Sequence, residues 1–268
     1  MKQIIFFVSL LLMVAGCKKD DNKQKEILLS EVSSNGALSV KISYSGDNRL
    51  LRYDTYSGGV MNAYLTFSYD GDGHVESISS FISPGDIPAV RILVECDTQG
   101  KIISVANYDL LGPTPNTPIS HATYSYNPDG RLGKVDRRDE DEELLTQTNL
   151  SYFPDGNLKE VRTYEESSNQ LWLSGKTIYS VPNGFQSVGA QKLQQLLGPD
   201  VAANLLSESI QSYRYDQNGG TLNQRSTMMS GREFNEDGSL KKQVQTATSI
   251  KPPQAATVSN MSYEYIRQ

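Results

Sequence analysis

The sequence of 268 residues contains two cysteines, two histidines and one tryptophan, and each scarcity excludes something. Cys17 sits at the end of an N-terminal apolar run, which leaves Cys96 alone in the rest of the chain, so no internal disulfide framework is available. His74 and His121 have no partners at metal-ligand spacing. There is no glycine-rich phosphate loop and no Gly-x-Ser-x-Gly nucleophile elbow. The apolar stretch Ile4 to Val14 is too short to cross a bilayer as a helix. Removing residues 1–16, whose only charge is Lys2, takes the formal charge from −6 to −7. That sign disfavours nucleic acid or anionic head groups as partners.

What the N-terminus does contain is an ordered set of signals. A basic residue, an apolar middle and the small residues Ala15 and Gly16 make a cleaved secretory leader, residues 1–16. Val14-Ala15-Gly16-Cys17 resembles the bacterial lipobox, which implies lipid attachment at Cys17. Several acyl chains on that residue would anchor the protein stably to a membrane. Residues 17–26 are polar and aperiodic and read as a flexible tether. The Lys and paired Asp after Cys17 resemble the surface-export signal of Bacteroidetes-type lipoproteins. The expected location is therefore the outer membrane, on its surface or its periplasmic side. Residues 27–268 form the remaining single domain.

Within that domain one phrase recurs. Tyr124 to Val135 reads YSYNPDGRLGKV, and Leu150 to Val161 reads LSYFPDGNLKEV. Pro presets the second position of a type I turn, the preceding residue bonds back to the backbone, and Gly accepts the left-handed conformation. Such a turn joins two antiparallel strands and lets Tyr126 face Leu132. Anchors of this kind stand at Tyr44, Tyr69, Cys96, Tyr126, Tyr152, Ser180, Tyr215 and Phe234. Four residues later comes Gly73, Gly100, Gly130, Gly156, Gly184, Gly219 or Gly238, with Asn48 as the permissive substitute in the first copy. Six residues after the anchor come Leu50, Val75, Ile102, Leu132, Leu158 and Leu240; the copies at Ser180 and Tyr215 are degenerate. Cys96 fills an anchor position and is expected to act as a small buried hydrophobe. A second apolar position nine after the anchor disagrees in phase with the one at six, and a bulge in the outgoing strand would reconcile them.

The Tyr-x-Tyr-Asp/Asn-x-x-Gly-x-Leu pattern resembles the YD repeat of RHS-type proteins. The mature chain as a whole resembles Bacteroidetes-type lipoproteins of unknown function with a porin-like β fold. The resemblance implies a large antiparallel meander over residues 27–268 and brings no functional residues with it. The expected fold class is all-β, repeated hairpins curled into a soluble porin-like barrel or open barrel with the apolar face inward. The glycine turns are expected at one end and the longer connections, Pro84–Pro88, Gly112–Pro118 and Glu165–Gly175, at the other. Val188 to Ile210 changes to helical spacing and is expected to form a helical insertion that packs in or across the barrel.

Chemistry is sparse. Asp70-Gly71-Asp72-Gly73 lacks the glutamate of a calcium loop, and its residues are those a hairpin turn demands. Arg137-Arg138-Asp139-Glu140-Asp141-Glu142-Glu143 reads as a solvated hairpin end. Trp172, placed in a long connection, is the one candidate ligand contact, set against core packing. No metal, cofactor or catalytic residue is expected. The function expected is a binding or structural envelope lipoprotein, its partners a membrane through the lipid, a glycan or an envelope protein, and no nucleic acid. The alternative is a glycan-acting hydrolase with carboxylates assembled in the sheet's cavity.

Overall fold

A computed structural model describes residues 27–167, 170–180 and 209–267. Cys17, the leader, the tether and residues 188–208 of the expected helical insertion lie outside the described residues. The insertion's last two residues are strand, since Ile210 pairs with Tyr179.

The strands are β1 (Ile27–Ser34), β2 (Ala37–Tyr44), β3 (Leu50–Ser57), β4 (Val60–Tyr69), β5 (Val75–Ile82), β6 (Pro88–Cys96), β7 (Ile102–Asp109) and β8 (Ser120–Tyr126). They continue with β9 (Leu132–Asp139), β10 (Leu144–Tyr152), β11 (Leu158–Ser167), β12 (Gln170–Tyr179), β13 (Ser209–Tyr215), β14 (Thr221–Phe234), β15 (Leu240–Lys251) and β16 (Thr257–Arg267). Each pairs antiparallel with its sequence neighbours, and β1 pairs with β16, so the sixteen strands close into an up-and-down barrel. Closure leaves no sheet edge among them.

The repeated turn explains the regularity. In the fourth copy the Asn127 N–H donates to the Arg131 carbonyl at 2.7 Å and the Gly130 N–H to the Asn127 carbonyl at 2.8 Å. Gly130 has φ 82° and the substitute Asn48 has φ 65°, the left-handed region this reversal requires. Asp70 Oδ1 accepts from the Asp72 and His74 N–H groups, which makes it a turn former, as expected. Tyr126 pairs with Leu132 while Ser125 pairs with Lys134, so Gly133 is the bulged residue. The same slip follows Tyr44, Tyr69, Cys96, Tyr152, Tyr215 and Phe234. The bulge that reconciles the two apolar phases is thus present in every described copy.

Directly opposed residues in antiparallel strands share a face. The row Phe67–Ile78–Ile92 and the row Leu150–Val161 therefore each lie on one face. Phe67, Ile78, Leu150 and Val161 are all buried. The buried clusters of the barrel converge on this face, which is therefore the lumen. Two buried clusters line it, one from β15 through β16 and β1 to β5, the other from β10 to β14. The outward face is mixed: Tyr64 and Phe81 stack on it and Leu93, Met228 and Val258 are exposed there, but it also carries polar rows. Ser125–Lys134–Asn149–Arg162–Lys176 is one of them, with Glu160 between Arg162 and Lys176 in ion pairs. A membrane-spanning barrel would need an apolar band across such rows.

The anchors also tie successive hairpins together. The hydroxyls of Tyr44, Tyr69, Tyr126 and Tyr152 donate to the carbonyls of Leu29, Leu50, Ile102 and Leu132 on the preceding strand, at 2.7–2.8 Å. Except at Leu29, the acceptor is the aliphatic partner of the previous copy. The last turn residue of one copy then lies over the anchor ring of the next: Arg49 on Tyr69, Lys101 on Tyr126 and Arg131 on Tyr152, 5.1–5.5 Å from the ring centre. Cys96 occupies this place without a hydroxyl, its Sγ 3.8 Å from the Val75 carbonyl. Burial, and then Asp70 and Asp97, push its thiol pKa up, which suits packing rather than reactivity.

Three expectations require correction. The Tyr215 turn, Asp216 to Gly220, lies at the opposite end from the other glycine turns, because it joins β13 to β14. That end also carries short reversals such as Gly58-Gly59, so tight turns are not confined to one end. Glu165–Gly175 is not a long connection: its described residues, 165–167 and 170–175, belong to β11 and β12. A bulge at Ser174, between the pairs Thr163–Gly175 and Tyr164–Leu173, interrupts the alternation that would have revealed the strand. Arg137 and Arg138 are strand residues of β9, and the reversal proper begins after Asp139.

Candidate functional site

The barrel's two ends differ inside. At the glycine-turn end the lumen wears a collar of anchors and aliphatic partners, from Tyr44 and Leu50 round to Leu240 and Tyr265. At the opposite mouth, over β7 to β14, the lumen face turns polar. One row runs Val94–Val105–Ala122–Arg137–Thr146–Glu165–Trp172. The next row runs Tyr124–Val135–Thr148–Thr163–Gly175–Arg214–Asn223, and a third Leu150–Val161–Thr177–Ser212–Arg225.

Three arginines thus share the face of Ala122, Ile210 and Met229, which are buried. Arg137, Arg214 and Arg225 are themselves exposed. A lumen-facing side chain is exposed only where the lumen admits water. Arg137 donates from Nη2 to the Ser120 hydroxyl at 3.2 Å, and Asn107 Nδ2 donates to the same oxygen at 3.2 Å. Among the described residues none of the three guanidiniums has a carboxylate within ion-pairing distance. Arg214 and Arg225 are diagonal neighbours on adjacent strands, a relation that sets side chains about 7–8 Å apart. At such spacing the two guanidiniums can approach one another, and like charges in water repel weakly, by about 0.6 kcal/mol at roughly 7 Å.

Carboxylates are few here. Asp109 and Asp139 sit at the rim, each with Oδ1 accepting backbone N–H groups of its turn. Glu165, two strands from Arg137 and hence about 10 Å away, is the remaining acidic group on these rows. The Tyr124 phenol pKa is raised by burial, with Arg137 opposing the rise.

Trp172, expected in a loop, is on β12 opposite Glu165 and faces the lumen. Its Nε1 is buried with no hydrogen-bond partner among the described residues. A buried orphan donor costs about 1–3 kcal/mol, which sets Trp172 apart from an ordinary core tryptophan. The Gly112–Pro118 loop joins β7 to β8 at this same mouth. The other candidates do not converge on it. His74 lies over Gly100 in the glycine-turn ring, and His121 faces outward with Nε2 3.0 Å from Glu142 Oε2.

Sequence reasoning missed the arginines, although the signal was present. Arg137 is in phase with Val135, and Arg214 with Ile210, both apolar strand positions.

No protein-family model matches the chain, and no curated protein sequence does. Solved structures do. A porin-like protein from Bacteroides uniformis ATCC 8492 superposes with TM-score 0.53 at 13% identity, over 90% of this chain and 95% of that one. A porin-like protein from Bacteroides vulgatus ATCC 8482 gives TM-score 0.50 at 15% identity, over 90% and 99%. The fold is the porin-like barrel. At these identities the likeness is one of architecture, and the lumen residues must be read on their own.

Proposed function

We propose that this chain is a lipid-anchored envelope protein whose barrel binds a ligand at the polar mouth of the lumen. The observation that carries the reading is a set of three exposed guanidiniums facing a wet lumen, none of them paired with a carboxylate among the described residues. Folding gains nothing from leaving these charges without a counter-ion, whereas an anionic ligand would supply one. Within the described rows, one carboxylate with both oxygens outside a turn supports binding over the paired-carboxylate hydrolase.

The N-terminal geometry supports the anchor. β1 enters the barrel at the glycine-turn end, where Ile27 pairs with Arg267. A lipid on Cys17 would hold that end toward the membrane on a tether of at most about 35 Å. The polar mouth would then face away from the bilayer, open to solutes. The porin-like barrels of Bacteroides proteins are consistent with an envelope location.

Two experiments test the parts separately. Cys17→Ala should abolish incorporation of radiolabelled fatty acid; continued labelling would remove the anchor. Calorimetric screening of the full chain against envelope solutes should yield ligands whose affinity falls at least about tenfold in Arg137→Gln. Ligands bound with unchanged affinity by Arg137→Gln, Arg214→Gln and Arg225→Gln alike would move the site elsewhere.

A further inference from the structure

The chemistry of the mouth says more than that something binds. Arg214 and Arg225 are diagonal neighbours with no intervening carboxylate, so an oxyanion seated between them converts a repulsive pair into two attractive contacts. The planar guanidinium fork suits carboxylate or sulfate oxygens. Arg137 presents a second such fork four strands away. The wall between the arginines is lined by hydroxyls: Thr146, Thr148, Thr163, Thr177 and Ser212. Neutral groups that both donate and accept match a ligand rich in hydroxyls. Glu165 adds an acceptor for such hydroxyls and repels a third anion.

Resting on the lumen-binding reading, we propose that the ligand is an acidic saccharide, with one oxyanion held by Arg214 and Arg225 and another by Arg137. Its hydroxylated ring lies along the threonine wall against the half-buried Trp172, which supplies an apolar surface. An extended acidic peptide fits less well. Peptides are recognised through backbone pairing with a strand edge, and a closed barrel offers none. The acidity of the whole chain, −6 overall, makes the basic lumen a local feature that discriminates between anions and neutral sugars.

Trp172 is the chain's only tryptophan, so intrinsic fluorescence reports on the site directly. The full chain is titrated with a uronate oligosaccharide, a sulfated oligosaccharide, a neutral oligosaccharide of equal length and an acidic peptide, by fluorescence and calorimetry. The expected result is a Trp172 signal with one or both acidic saccharides and affinity at least about tenfold weaker for the neutral one. That preference should shrink in Arg214→Gln/Arg225→Gln and at raised ionic strength, while Arg91→Gln on the outer face leaves it intact. The stronger acidic arm identifies carboxylate or sulfate as the source of the charge. Equal binding of the neutral saccharide overturns this inference and leaves lumen binding standing. Tighter binding of the peptide overturns the saccharide class. Absence of heat and fluorescence change with all four probes overturns the inference and the lumen-binding reading together.

Discussion

The tyrosine hydroxyls that link successive hairpins offer a test in which only an oxygen atom is removed. Phe in place of Tyr44, Tyr69, Tyr126 or Tyr152 keeps the ring in the lumen collar and, at the last three, keeps the neighbouring cation above it. It deletes the donor to the carbonyls of Leu29, Leu50, Ile102 or Leu132. Each loss leaves a part-buried carbonyl without that partner and should cost about 0.5–1.5 kcal/mol. Tyr44 and Tyr152 lie on separated strands, so their combined cost should be near the sum, about 1–3 kcal/mol. For a domain of this size about 1 kcal/mol corresponds to roughly 2–4 °C in Tm. Tyr213→Phe is the control. Its hydroxyl bonds the exposed Gln211 side chain on the outer face, and its loss should fall within about 0.5 kcal/mol of zero. Urea denaturation followed by circular dichroism reads all five. If the four collar variants match the control, the hydroxyls are decoration and the coupling between hairpins rests on apolar contact alone.

Further outcomes follow from the turns at both ends and from the groups packed near them. Gly36→Ala and Gly100→Ala both place a side chain at φ +78°, but only at Gly100 would its Cβ come 2.7 Å from His74 Cδ2. Gly36→Ala should cost about 1–2 kcal/mol and Gly100→Ala more, and adding His74→Ala should bring the second down to the first. The Tyr126 and Tyr263 pKa values are pushed up to about 12 by burial, above the ordinary value of 10.0. Folding therefore favours the protonated phenols: their contribution is complete below pH 10 and is lost as pH rises toward 12, so denaturation midpoints should fall across that window. The Asp237 carboxyl is held down to about 2, chiefly by hydrogen bonds from Ser239 and then Arg267. Its contribution is present above about pH 4 and lost toward pH 2, and Asp237→Asn should flatten that acid limb. Cys96 should resist thiol reagents at pH 8 in the folded protein and react at once in denaturant; fast labelling of the native state would contradict its packing role.

The hairpins were legible in the sequence because their determinants are local. A glycine or asparagine four after each anchor and an aliphatic residue two further on state the turn without reference to distant residues. Even the bulge showed itself, through the phase conflict between Leu132 and Val135. The end of the barrel at which a turn lies is set by strand parity, which one local phrase does not encode; hence the misplacement of the Tyr215 copy. β12 was hidden for a related reason. Its bulge at Ser174 shifts Trp172 and Leu173 out of alternation with Thr177, so the segment read as a loop. The arginines were invisible because a charged residue in a strand is ordinarily assigned to the solvent face. Register with Ala122 and Thr146 shows that Arg137 breaks that habit, and the break marks the mouth as a place where something other than packing fixes the residue.

Everything about the lumen depends on the ring being closed between its first and last strands. Ser33 and Ser262 are register partners across that seam, a relation whose Cα separation suits a disulfide. Ser33→Cys and Ser262→Cys are introduced together with Cys17→Ala and Cys96→Ser, so that these two thiols are the only ones, and the protein is oxidised at low concentration. A closed barrel predicts an intramolecular disulfide in nearly every molecule, seen as a two-proton mass loss, and a raised denaturation midpoint. Persistent free thiols, or disulfides that form only between molecules, would show β1 and β16 to be separate edges and contradict the barrel itself.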